Sequence, residues 1–66
     1  MIQINTMNEV IRDGKLTNYK AIQKENGTHV YRQDGFVRTE IEMPKARYTL
    51  STEAGQNQFE TDLFGF

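Results

Sequence analysis

The sequence predicts an α+β domain. Its centre is a four-stranded antiparallel β-meander with room for a short fifth strand at the N-terminus, and a short N-terminal helix and a C-terminal helix cover one face. Three observations carry this expectation. Two turn dipeptides, Asn26-Gly27 and Asp34-Gly35, sit inside a long stretch of alternating residues, and such dipeptides are the strongest short hairpin signals a sequence offers. The alternation sorts apolar from polar side chains, as a sheet with one buried face requires. Both ends of the chain return to helical spacing. With 66 residues and no linker, repeat or low-complexity tract, residues 1–66 form one domain.

The first residues, IQIN at 2–5, alternate and suit a short strand. Thr6 followed by Glu9 reads as a capping box, in which the Thr hydroxyl and the Glu carboxylate each satisfy a backbone amide. Met7, Val10 and Ile11 then share a helical face, and Gly14 is a natural C-cap. The expected helix covers 7–13. From Leu16 the period becomes two. Two-residue turns at the Asn-Gly and Asp-Gly dipeptides set Gln23 against Val30, Ala21 against Arg32, Gln33 against Phe36 and Val30 against Thr39. A further turn around Pro44 sets Met43 against Tyr48 and Ile41 against Leu50.

In this register one face collects Tyr19, Ala21, Val30, Val37, Ile41, Met43, Tyr48 and Leu50. The other collects Lys20, Ile22, Lys24, His29, Tyr31, Phe36, Arg38, Glu40, Glu42 and Arg47. Because a one-residue slip flips every side chain, this separation supports the assignment of faces. The last segment begins at a Ser51 or Thr52 cap. Phe59 and Leu63 are i, i+4 neighbours and Phe66 follows one turn on. Gly55 weakens the first turn by roughly 1 kcal/mol relative to Ala.

Composition narrows the function classes. A hydrophobic fraction of 36% and a charged fraction of 26% suit a small folded domain. The net charge of −1 favours no class of charged partner. The absence of cysteine removes disulfides, thiolate metal sites and Cys nucleophiles, and points to a cytoplasmic address. No apolar run approaches the roughly 20 residues of a membrane span, and the N-terminus lacks the basic and apolar regions of a signal peptide. A domain of this size has little room for both a core and an enclosed reaction cavity. The expectation is a protein that is not an enzyme, with no cofactor and no metal.

Two surfaces carry candidate partner-binding residues. The polar sheet face bears Lys20, Lys24, Arg38 and Arg47 interleaved with Tyr31 and Phe36. Cations around aromatic platforms also hold single-stranded nucleic acid, whereas Glu40 and Glu42 lower the charge of this face and pair well with cations in a bare sheet. His29, opposite Lys24 and beside Glu40, lacks the companions of a metal site or general base. The acids Glu53, Glu60 and Asp62 lie in the C-terminal segment, and the Arg-Asp-Gly and Arg-Gln-Asp-Gly stretches lack the several glycines of a phosphate loop.

The second surface is the C-terminal stretch ETDLFGF. It resembles the C-terminal peptides by which polymerases and accessory factors, in bacteria and T4-like phages, dock on the sliding clamp. The resemblance implies Leu63 and Phe64 as anchors with Phe66 as an added contact, although Glu60 stands where glutamine leads and Thr61 where leucine is common. Core duty for Phe59, Leu63, Phe64 and Phe66 is the competing reading. Separately, ARYTLSTEAGQNQFE resembles the end of winged-helix domains. That resemblance implies a helix over LTNYKAIQKENG and a recognition helix beginning at THVYRQ.

The function expected is a small protein-binding protein, an accessory or inhibitor in the style of phage and mobile-element proteins, working through sheet face, sheet edge or tail. Nucleic-acid binding, through the sheet face or a winged helix, is the alternative. The two open edges of a small meander also invite a homodimer.

Overall fold

A computed structural model describes residues 2–65. Among them are five strands and one helix: β1 (Ile2–Ile4), β2 (Glu9–Arg12), β3 (Lys15–Lys24), β4 (Gly27–Asp34), β5 (Val37–Ile41) and α1 (Glu53–Phe64). The strands form one antiparallel sheet in the order β1-β2-β3-β4-β5, so each is hydrogen-bonded to its neighbour in sequence. The α+β class, the meander and the C-terminal helix are as the sequence predicts.

The expected helix over 7–13 is instead a hairpin. Asn5 organises its first turn: its side-chain oxygen accepts from the Met7 and Glu9 amides, at 2.9 and 3.1 Å, and its side-chain nitrogen donates to the Glu9 carboxylate at 2.8 Å. The Glu9 carboxylate meets Asn5 in place of a capping box with Thr6. Asp13 and Gly14 then close β2 onto β3 with φ of 53° and 77°, positive at both central residues as in a type I′ turn. A two-turn helix is marginal in water, while β-branched Val10 and Ile11 suit a strand. The hairpin buries Val10 completely beside Ile2 and leaves Met7 exposed.

The two expected hairpins form, each with its turn displaced by one residue. Glu25 and Asn26 are the first turn, and Lys24 pairs with Gly27 and Ala21 with Val30. Gly35 and Phe36 are the second, and Asp34 pairs with Val37 and Val30 with Ile41. Gly27 is required at the head of β4, where φ is +137° and a Cβ would collide with the Ala46 carbonyl oxygen. Gly35, at φ +61°, takes the first central position of its turn, which is where a type II′ turn places glycine. Moving a turn by one residue changes each partner by two, so the assignment of side chains to faces survives.

The expected strand around 47–50 is irregular. Its backbone is held by side chains: Tyr48 N–H donates to Thr28 Oγ1 (3.0 Å) and Gln23 Nε2 donates to the Tyr48 carbonyl (2.9 Å). Thr28 N–H donates to the Ala46 carbonyl at 2.8 Å. These bonds satisfy the segment without a ladder. They draw it across the core face of the β3–β4 hairpin, where Tyr48 is buried and Met43 and Leu50 pack against the core.

The helix begins at Thr52, whose hydroxyl accepts from the Gly55 amide (3.1 Å), and ends at Gly65 in the left-handed conformation. Its only fully buried side chain is Phe59, which joins Ile2, Val10, Ala21, Val30 and Tyr48 in the core. The segments that the winged-helix resemblance would make helical are β3 and β4, so that fold is corrected: an alternating sequence with hairpin turns has no place for a recognition helix. Phe66 lies outside the described residues.

Candidate partner-binding surface

Alternation along the strands gives the sheet two unlike faces. The helix and the 42–52 segment cover one. The other presents Gln3, Glu9, Ile11, Leu16, Lys20, Ile22, Lys24, His29, Tyr31, Gln33, Arg38 and Glu40, by the parity of the strand pairings. At its centre Lys20, Tyr31 and Glu40 form a row across β3, β4 and β5. The Arg38 guanidinium stands 5.5 Å from the centre of the Tyr31 ring, within cation–π range, and its Nε donates to Gln33 Oε1 at 3.1 Å. His29 Nδ1 lies 3.2 Å from Glu40 Oε2, and Nε2 lies 2.9 Å from Asn26 Oδ1.

Of the residues singled out from the sequence, Lys20, Tyr31 and Arg38 therefore lie together, with Lys24 further along β3. Phe36 is at the tip of the β4–β5 hairpin, fully exposed at 105%. Arg47 lies in the irregular segment, where Nη2 donates to the Glu25 carbonyl at 2.6 Å and ties that segment to the β3–β4 turn. Leu63 and Phe64 are on the other side of the molecule, in α1 and half-buried against the core. The Phe64 ring meets Tyr19 edge-on at 5.5 Å and sits under the Arg12 guanidinium at 4.3 Å. Arg12 Nε in turn donates to Glu60 at 3.0 Å.

The sequence reading left out Ile11 and Leu16, which face each other across β2 and β3 on the outer face, with Leu16 62% exposed. The signal was available: Asp13-Gly14 is a third hairpin dipeptide, and recognising it puts both residues on a ladder.

The β4–β5 hairpin runs beyond the covered core. The β3–β4 ladder stops at Tyr19 and Arg32, while β4 and β5 stay paired as far as Asp34 and Val37. Residues 37–40 are exposed, on both faces of the hairpin. The arm is thus an antiparallel ribbon with a phenylalanine at its tip and one free edge.

The covered side holds a buried polar contact. The Tyr48 hydroxyl donates to Asp62 Oδ2 at 2.5 Å, accepts from the Lys45 amide at 3.3 Å, and its ring packs edge-on against Phe59. Burial, reinforced by the bond to Asp62, pushes the Tyr48 phenol up to about 12. This group fastens the helix to the 42–52 segment. Among the described residues, no three His, Cys, Asp or Glu side chains converge as metal ligands, and no helix is long and apolar enough to cross a membrane. No protein-family model, no curated protein and no solved structure matches the chain.

Proposed function

We propose that this domain acts by binding another protein on its uncovered sheet face, as an accessory or inhibitor rather than a catalyst. The observation that supports this most directly is the asymmetry of the sheet. One face is covered by α1 and the 42–52 segment, while strand parity puts Ile11, Leu16, Ile22 and Tyr31 on the other, with Leu16 exposed and the rest half-buried. Apolar side chains on either side of a row of opposite charges (Glu9, Lys20 and Glu40, with Tyr31 among them) give this face the mixture of apolar and polar groups that protein-binding patches use. Phe36 on its projecting hairpin provides an aromatic anchor beside it. Several titratable side chains are engaged in structural pairs, His29 with Glu40 and Asn26, Asp62 with Tyr48 and Gln58, Glu60 with Arg12. The cysteine-free sequence fits a cytoplasmic encounter.

The test is affinity capture from bacterial lysate followed by mass spectrometry. Wild type is compared with Leu16→Ser, with Tyr31→Ala/Phe36→Ala and with Lys20→Ala/Lys24→Ala/Arg38→Ala, each first checked for folding by circular dichroism. The reading expects one protein retained at high salt by wild type and lost from a folded variant. Recovery of nucleic acid alone, washed away by salt as phosphate contacts are, would replace it.

A further inference from the structure

We propose that two copies of this chain join through their β5 edges, antiparallel about a two-fold axis at Thr39, so that the two sheets continue as one. The inference does not depend on what binds the outer face.

The two edges of the sheet differ. β1 has three residues and α1 packs against it, both of which blunt an edge. β5 has five residues with four of them exposed, and pairs only with β4. Among the described residues, no turn or loop backbone bond reaches it. Its free N–H and C=O groups can be assigned from the turn. Asp34 and Val37 close the two-residue turn, and such a closing pair exchanges both of its bonds. Alternation then aims the backbone groups of Val37, Thr39 and Ile41 at β4, and those of Arg38 and Glu40 outward.

An isologous contact must match a residue i with j and j with i. In an antiparallel ladder it must also match outward-facing residues with each other. Three centres satisfy this. A two-fold axis at position 38 sets Arg38 against its own copy, and an axis at position 40 does the same with Glu40. Like charges directly opposite are unfavourable. The axis at Thr39 sets Arg38 against Glu40 of the other copy, twice, with four backbone hydrogen bonds between them. On the opposite face it sets Val37 against Ile41 of the other copy, also twice. Val37 is 62% exposed in the single chain, while Ile41 rests on the core. Pairing therefore extends each core across the seam.

The charges are free to take part. Arg38 uses only Nε as a hydrogen-bond donor, to Gln33, with its guanidinium beside the Tyr31 ring, and Glu40 offers one oxygen to His29 while its side chain remains 59% exposed. Five residues, VRTEI, are therefore self-complementary in charge, in apolarity and in backbone direction, in this register and not in its neighbours. In the dimer both helices lie on the same side of the continuous sheet, and the two outer faces merge.

Sedimentation velocity over a wide concentration range, on the full chain, is the test. Wild type is expected to dimerise reversibly. Arg38→Glu sets Glu against Glu twice and should weaken the dimer roughly tenfold or more. Glu40→Arg should do the same, and the double exchange should restore the affinity, since it rebuilds both pairs with reversed sign. Thr39→Cys gives an independent readout in a chain without cysteine. Non-hydrogen-bonded partners in a ladder stand about 4.5 Å apart, within disulfide range, so mild oxidation should yield a covalent dimer, and more slowly with Arg38→Glu. A wild-type chain that sediments as a monomer throughout would overturn the proposal. So would a dimer indifferent to Arg38→Glu, a double exchange that fails to rescue, or the absence of cross-linking at position 39.

Discussion

The helix-covered end of the molecule and the β4–β5 arm are both built on antiparallel hairpins and are held in different ways. At the covered end Ile2, Val10 and Phe59 are sealed from water, and Tyr48, Gln23 and Thr28 tie a loop to the sheet through side-chain bonds. On the arm, residues 37–40 are exposed and the contacts are surface ones, such as Arg38 with Gln33 and Arg32 with Asp34 at 2.9 Å. Exposed ion pairs contribute little to stability. The difference teaches that folding free energy is concentrated at one end, which leaves the sequence of the other end less constrained by the fold.

Substitutions at the two ends should separate accordingly. The largest effect is expected from Phe59→Ala, which deletes a fully buried ring and should cost about 3 to 5 kcal/mol. For a domain this small that approaches the whole stability, so circular dichroism should report an unfolded chain. Gly55→Ala comes next. In an ordinary helix this change stabilises, but here the new Cβ would run into the Thr49 carbonyl oxygen. Urea denaturation should show a loss of about 1 to 3 kcal/mol, and a gain would mean that the cap loop yields freely.

Tyr48 gives a test that depends on pH. The phenol ionises near 10 in the unfolded chain and at about 12 in the fold. Its contribution is therefore complete below pH 10 and is lost as pH rises toward 12, by on the order of 2 kcal/mol. Tyr48→Phe should flatten that alkaline loss while lowering stability at pH 7 by roughly 1 to 2 kcal/mol. The smallest effect belongs to the arm. Phe36→Ala removes a side chain that touches nothing buried and should change stability by less than about 0.5 kcal/mol, while reducing capture of a partner. A large destabilisation there would erase the contrast between the two ends.

What was legible in the sequence follows the physics of each signal. The faces of β3, β4 and β5 could be read because period-two alternation survives a turn displaced by one residue. That Lys20, Tyr31 and Arg38 share a face was legible for the same reason. The partners themselves were not: the first turn depends on a contact remote in sequence, Gly27 lying under the Ala46 carbonyl, which no local pattern announces, and the second places Gly35 at the first central position of its turn where the sequence reading placed it at the second. The N-terminal segment offered two incompatible local signals, helical spacing at Met7, Val10 and Ile11 and a hairpin dipeptide at Asp13-Gly14. Tertiary burial of Val10 beside Ile2 decided for the hairpin. Arg47 falls outside a strand because the backbone of its neighbour Tyr48 finds side-chain partners, Thr28 and Gln23, instead of a ladder, and Phe36 falls in the turn because that turn lies one residue beyond the Asp-Gly dipeptide's expected place.

The order of the elements has a consequence for how the chain is made. Each strand pairs with the one just before it, so the meander can assemble step by step as it emerges from the ribosome, with only short loops to close. Its lid obeys a different schedule. Phe59, from the helix, packs in one cluster with Ile2, from the first strand. The apolar face of the sheet therefore stands open until residues 53–64 have been synthesised. A nascent sheet in that state is open to aggregation, which makes the timing of the helix, more than its intrinsic stability, the point at which biogenesis of this domain is most vulnerable.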